Sequence, residues 1–329
     1  MTEERFAVVG FGSAGRRHVR LLRRLRPSSE LVLVSARASK LVNKIPEISE
    51  AVTSVDEAVQ LGLSAAIVAS PATEHIEQAL TLCAAQCPTL IEKPIATHSS
   101  QCGALIAAIN ETASFVSVGY QLRFDLAAKS FSALLSSGHG GAPLQARIEC
   151  GSYLPEWRST IEYRNSVSAR RELGGGVLLE LSHEVDYCRW LFGDIEYVQG
   201  NLSNSGHLAV NVEEAAHILL RMRSGLPVVM IIDFHRRLPR REVIVQTTTG
   251  ELQWNVLSQS ISTTQRDGPT INQHFDQPRN EIFLSQLEDF LDRSRRGQSP
   301  VVGVADACET LRVIDAIRLS DETGERVYL

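Results

Sequence analysis

Long apolar runs are missing from this 329-residue sequence. None approaches the roughly 20 residues a helix needs to cross a bilayer, so no membrane partner is expected. Positive charge is not in excess either: 33 Lys and Arg stand against 38 Asp and Glu, a net charge of −5. That balance argues against nucleic acid or an anionic membrane surface as the main partner. Cysteine pairs are lacking. Cys83, Cys87, Cys102, Cys150, Cys188 and Cys308 show neither zinc nor disulfide spacing, and Cys83 and Cys87, one helical turn apart, read as small apolar fillers. The opening Thr2-Glu3-Glu4-Arg5 carries no secretory pattern. A reducing cytoplasm is the expected compartment. No internal repeat and no low-complexity linker divides the chain.

What is present suggests two domains, because this length exceeds what one core usually serves. Apolar content of 43% and charged content of 22% are ordinary for a globular protein. Residues 5–119 alternate short β-rich runs with helical patterns, the rhythm of a parallel sheet with crossover helices. Residues 1–120 are therefore expected to form an α/β, doubly wound dinucleotide-binding (Rossmann) domain. After Tyr120 the texture changes. Glu172 to Phe192 looks helical after a triple glycine, and Val198 to Asn255 gives long strand runs with turn signals between them. Residues 121–329 are expected to be an α+β domain with a large, mostly antiparallel open sheet, closed by two amphipathic tail helices.

Gly10-Phe11-Gly12-Ser13-Ala14-Gly15 sits directly between a strand and a helix, the setting in which this glycine spacing cradles a dinucleotide. Gly10 allows the tight turn, Gly12 the close approach of a pyrophosphate, and Gly15 the packing of helix on strand. The backbone N–H groups of Ser13 and Ala14, at the helix N-terminus, suit the phosphates. Arg16, Arg17, Arg20, Arg23, Arg24 and Arg26 read as a solvated helix face. About 20 residues on, an NAD enzyme places an acid against the ribose. This chain instead has Ser35, Arg37 and Lys40, with no carboxylate until Glu47. A hydroxyl and an arginine suit a 2′-phosphate, which favours NADP over NAD.

A second oddity is the end of another strand, where Thr89-Leu90-Ile91 runs into Glu92-Lys93-Pro94. A charged pair at a buried strand end is costly unless something uses it. The chain resembles the Gfo/Idh/MocA family (glucose–fructose oxidoreductase, inositol dehydrogenase, rhizopine catabolism) in this motif and in four further segments. These are the glycine loop, "ASPATEH" (69–75), "VGYQLRF" (118–124) and "GGGVLLELSHEVDYCRWLFGD" (174–194). The resemblance spans nearly the whole chain. It implies that Lys93 points at the nicotinamide and hydrogen-bonds the reacting oxygen, that Glu92 holds the cofactor ribose or the lysine, and that Pro94 follows a cis bond. Ser70, Pro71 and His75 are then cofactor contacts, and Arg123 a substrate contact.

His183, in "LSHEVD", matches the family's motif histidine and is implied to be the acid/base partner of Lys93. Relatives commonly carry an aspartate four residues before it. Here that position is Leu179, and the nearest acid is Glu180, which would share a helix face with His183 and orient it or bind substrate hydroxyls. "HEVDY" is no zinc motif, and no metal is expected. The segment from Tyr153 to Gly176 is rich in aromatics and arginines. Trp157, Arg158, Tyr163 and Arg164 suit sugar stacking and anion capture, as in relatives from surface-polysaccharide pathways. Arg236, Arg237, Arg240 and Arg241 read as a solvated strand end. The resemblance thus implies an NAD(P)-dependent sugar oxidoreductase, assembled as a homodimer or homotetramer. A dihydrodiol or biliverdin-type reductase, and a non-catalytic nicotinamide-binding regulator, remain open on the same scaffold.

Overall fold

Six β-branched or leucine-rich runs form the first sheet: β1 (Arg5–Val9), β2 (Glu30–Val34), β3 (Glu50–Val52), β4 (Ala65–Val68), β5 (Thr89–Ile91) and β6 (Val116–Val118). The computed structural model describes residues 4–38, 45–158, 162–266 and 268–329. All pairings are parallel, in the order β3-β2-β1-β4-β5-β6. Strand order therefore reverses between β1 and β4, and crevices for ligands open at the carboxyl ends of strands on either side of such a point. The helices between them are α1 (Ser13–Leu25), α2 (Val55–Gln60), α3 (His75–Ala84) and α4 (Gly103–Thr112). Cys83 and Cys87 are buried in this unit, and burial pushes the Cys87 thiol up to about 12.

The chain divides into two compact units, residues 1–121 with 280–309 and residues 122–279 with 310–329. The first tail helix, α8 (Arg279–Arg296), thus joins the dinucleotide unit rather than the second domain expected from the sequence. Its apolar face explains this. Phe283, Leu287, Phe290 and Leu291 pack in one cluster with Val8, Leu22, Leu33 and Ile67.

The second unit opens with α5 (Leu126–Ser137), capped by the Asp125 carboxylate and ended by Gly138 at φ +71°. Its sheet has nine strands: β7 (Pro143–Gly151), β8 (Ile195–Ser203), β9 (Ala215–Met222), β10 (Pro227–Asp233), β11 (Arg240–Thr247), β12 (Gly250–Asn255), β13 (Ser260–Gln265), β14 (Ile271–His274) and β15 (Val327–Tyr328). The order is β14-β13-β12-β11-β7-β10-β9-β8-β15, antiparallel except where β10 joins β7. The core beneath it centres on Tyr187, Trp254 and Phe131, with Tyr187 edge-on to Trp254 at 5.3 Å.

The single helix expected from Glu172 to Phe192 is not continuous. A short 3-10 turn covers Arg171–Leu173, and Gly174 and Gly176 then take φ of +80° and +111°. One turn of helix, α6 (Val177–Glu180), stops at Leu181, and α7 (Ser182–Phe192) begins anew. The final helix is α9 (Val304–Thr323). No helix among the described residues is long and apolar enough to cross a membrane.

Candidate functional site

The glycine loop divides its labour by position. Gly10 closes β1 at φ +89°, and a Cβ there would lie 2.8 Å from the Ala69 carbonyl oxygen. A Cβ on Gly15 would come within 2.1 Å of the Gly10 carbonyl oxygen, so α1 comes this close to the end of β1 only because residue 15 is glycine. Gly12 differs. It is the N-cap of α1 in extended conformation, and a Cβ on it would meet nothing within 4 Å. Open space in front of an exposed N-terminus of a 13-residue helix is what a pyrophosphate requires. These residues fit a dinucleotide, with Ser13 and Ala14 presenting the first backbone N–H groups.

At the end of β2, Ser35 Oγ accepts the Arg37 backbone N–H at 3.2 Å, and the Arg37 side chain is exposed. Lys40 lies outside the described residues. Arg16 stacks on Phe11 at 4.5 Å, while Arg17 lies over Phe283 at 4.1 Å. Arg23 donates to the carbonyls of Pro27, Ser29 and Glu47, and Arg24 pairs with Glu281. The arginines of α1 are accordingly more engaged than a solvated face, because long side chains at a helix end meet the last carbonyls and the neighbouring α8.

Past β4, Ser70 Oγ donates to Gln78, and the Ser70 carbonyl faces His75 Nε2 at 2.9 Å. His75 Nδ1 faces the Pro94 carbonyl at 2.9 Å. His75 is 1% exposed, so it braces the turns after β4 and β5 from inside, and only Ser70 and Pro71 of this trio reach the surface. Burial holds its pKa below the ordinary range, against the carbonyls of Ser70 and Pro94. A neutral ring then donates to one of the two carbonyls at a time.

The Lys93–Pro94 bond is cis, and Lys93 is half-buried. Glu92 Oε2 accepts the Lys93 backbone N–H at 3.3 Å, and Oε1 lies 2.7 Å from His18 Nε2. Burial alone would push the Glu92 carboxyl up. The His18 bond and the positive charges of Lys93 and Arg17 outweigh it and hold Glu92 below the usual carboxylate range. The sequence reading had no place for His18. Its signal was available, since His18 is the lone imidazole among arginines on α1, three residues past Gly15.

In the second unit, His183 stands in the first turn of α7 and is 4% exposed. Glu180 ends α6, and Leu181 separates it from α7, on which His183 stands. Arg123, expected at substrate, is 9% exposed and clamps Asp186 of α7 with two bonds of 2.8 and 2.9 Å. Tyr163 donates its hydroxyl to the Leu208 carbonyl at 2.8 Å, and exposed Arg164 pairs with Glu162. Trp157 packs edge-on to Phe234 at 5.2 Å and lines a narrow crevice with Leu154, Arg158, Tyr163 and Ser166. Trp157 Nε1 and Ser166 Oγ are buried there without hydrogen-bond partners. Trp157 and Arg158 thus share this narrow, largely apolar crevice, whereas Arg123 pairs with Asp186 and Tyr163 donates its hydroxyl to the backbone.

Only part of the basic cluster after β10 is a solvated strand end, with Arg237 and Arg240 exposed and Arg236 and Arg241 half-buried. Arg236 bonds Asp233 and Glu149, Arg240 reaches Glu149 and Glu242, and Arg237 stacks on Tyr153 at 3.4 Å. Arg241 turns inward. Its Nε donates to Glu184 Oε1 at 2.8 Å, where the Glu184 side chain is 0% exposed. Sheet alternation explains the split, since Arg240 and Arg241 necessarily face opposite sides of β11.

Comparison with known proteins agrees with this layout. Residues 4–120 match the model described as "Oxidoreductase family, NAD-binding Rossmann fold", and residues 129–253 match the "GFO/IDH/MocA C-terminal domain". Inositol 2-dehydrogenase of Acidiphilium cryptum is 27% identical over 235 residues, 68% of this chain and 65% of that protein. The homologue from Mycolicibacterium gilvum is 29% identical over 201 residues, 59% of this chain and 54% of that protein. The match therefore spans little more than half to just under two thirds of these relatives. In fold, the chain is similar to aldose-aldose oxidoreductase from Caulobacter crescentus, solved with glycerol (TM-score 0.84, 21% identity, 99% of this chain and 100% of that one). It is equally similar to the WlbA dehydrogenase from Bordetella pertussis, solved with NADH and UDP-GlcNAcA (TM-score 0.84, 19% identity, 99% and 98%). With both of its domains matched in order, the chain belongs to the Gfo/Idh/MocA family of oxidoreductases.

Proposed function

We propose that this chain is an NAD(P)-dependent dehydrogenase or reductase acting on a hydroxyl or keto group of a sugar or nucleotide-linked sugar. The observation that carries the reading is the pairing, within one unit, of a phosphate-ready glycine loop with Lys93 at the end of the strand beside β4. The nicotinamide, when bound, supplies the hydride chemistry. Gly10, Gly12, Ser13, Ala14 and Gly15 hold its pyrophosphate, and Ser70 and Pro71 line its path. Ser35 and Arg37 hold a 2′-phosphate, which makes NADP the preferred form. Glu92 fixes Lys93.

Lys93 offers three ammonium donors to the reacting oxygen and steadies the negative charge that grows on it. His183 takes the hydroxyl proton during oxidation and returns it during reduction. Trp157 and Arg158 bind the sugar. Inositol dehydrogenase relatives and the fold shared with a UDP-GlcNAcA-bound dehydrogenase support a polyhydroxylated substrate. We place the protein in the cytoplasm as a homodimer or homotetramer.

The test is a panel of myo-inositol, aldoses and UDP-sugars, with NAD(H) and NADP(H) absorbance followed separately. Turnover with one sugar class and a preference for NADP(H) is expected. Tight cofactor binding with no turnover across the panel would instead favour a non-catalytic nicotinamide-binding regulator.

A further inference from the structure

We infer that His18 is a positioning residue, which clamps the Glu92 carboxylate so that Glu92 in turn fixes the backbone of Lys93. The inference rests on Lys93 being the reacting lysine, but its geometry stands by itself. His18 is 1% exposed, and its Nε2 lies 2.7 Å from Glu92 Oε1. Carboxylate oxygens only accept, so the hydrogen in that contact sits on Nε2. Nδ1 is buried with no hydrogen-bond partner. The ring is thus held as a one-sided donor aimed at Glu92.

The other carboxylate oxygen accepts the Lys93 N–H at 3.3 Å. It also lies so near Gly119 that a Cβ on that residue would sit 3.3 Å from it. Glu92 is therefore gripped from three sides, by α1, by its own turn and by the backbone after β6. The charged or titratable groups acting on it are His18 and Arg17 from α1, Lys93 from its own turn, and His75 from α3. Because His18 follows Gly15 by three residues, the helix whose N-terminus meets the phosphates also holds the lysine turn.

The sign of the effect follows from competing influences on Glu92. Burial favours its neutral form, and the His18 bond opposes that. Replacing His18 with a residue that cannot donate at that place therefore lets Glu92 protonate at higher pH. Leu removes the donor, Asn is too short to reach, and Gln places an N–H close to where Nε2 was.

The chain has four lysines, Lys40, Lys44, Lys93 and Lys129, so ¹³C-dimethylated lysines give few signals and K93R identifies that of Lys93. We would titrate this signal in the full chain without cofactor or substrate. His18→Asn and His18→Leu are expected to move the acidic inflection of the Lys93 signal to higher pH, His18→Gln to keep it near the original value, and Glu92→Gln to abolish it. A purely structural role for His18 would change thermal stability without moving the inflection, and it would not distinguish Gln from Asn. If the His18→Asn and His18→Leu curves superimpose on that of the unaltered protein, the inference is overturned. Should His18→Leu not fold, the Asn and Gln pair decides. Failure of Lys93 as the reacting group is a separate result, read from turnover of Lys93→Met.

Discussion

Replacing Gly12 and Gly15 separately tests whether the loop is built for a ligand or only for a turn. Gly12 is extended at φ −73°, a conformation open to any residue, and a Cβ there meets nothing within 4 Å. Gly12→Val is therefore expected to leave the melting temperature within about 2 °C, since surface changes without lost contacts cost under roughly 0.5 kcal/mol. The same methyl groups stand where the pyrophosphate must approach. A loss of at least tenfold in NADH and NADPH affinity is expected, about 1.4 kcal/mol or more. Gly15→Ala does the reverse first. Its Cβ would lie 2.1 Å from the Gly10 oxygen, so helix and strand must part. Overpacking of this kind costs about 1–3 kcal/mol, or roughly 2–12 °C for a unit of this size. Calorimetry and cofactor fluorescence titration separate the two. A Gly12→Val protein that melts as low as Gly15→Ala, or that binds both nucleotides normally, would refute the assignment of roles.

Arg37→Ala is expected to weaken NADPH binding by on the order of tenfold while leaving NADH unchanged, because a charge-assisted bond to a 2′-phosphate is lost; equal losses for both nucleotides would reject it. Arg241→Leu leaves the Glu184 carboxylate buried without its guanidinium and should cost about 3–5 kcal/mol by denaturant unfolding, much of it recovered in the Arg241→Leu/Glu184→Leu double variant. Glu213 is held above the ordinary carboxylate range, chiefly by burial. Its folded pKa is raised, so its favourable contribution is present below its unfolded pKa and is lost as pH rises through the folded one. Glu213→Gln should therefore gain stability relative to the unaltered protein as pH rises from about 4 toward 8, and a pH-independent difference in melting temperature would contradict this.

Some of this molecule is written in local pattern. The glycine loop between strand and helix, and the parallel strands around it, follow from spacing and β-branched runs, and the structure has them at the same residues. The large second sheet was legible for the same reason, although the parallel joint between β10 and β7 leaves no local trace. What escaped was long-range. The sequence shows Arg123 and Arg241 only as cations. That Arg123 spends itself on Asp186 and Arg241 on Glu184 is decided by partners about 60 residues away. Likewise His18 and Glu92 are 74 positions apart, so the spacing of α1 puts His18 on the buried face with Gly15, Val19 and Leu22 but does not name its partner. The break at Leu181 was hidden because "GVLLELSHEVDYC" has continuous helical character, while the glycines before it set the chain direction.

The proposed chemistry needs Lys93 and His183 to serve a single hydride transfer, and a double-mutant cycle on turnover addresses this directly. Lys93→Met, His183→Asn and the double variant would be assayed with the best sugar of the panel, alongside NADPH affinity. Each single change should lower kcat by about 10²–10⁴-fold with affinity nearly intact, and the double variant should lose little beyond the worse single one. Near-normal turnover in Lys93→Met, or losses that simply multiply, would contradict a shared step.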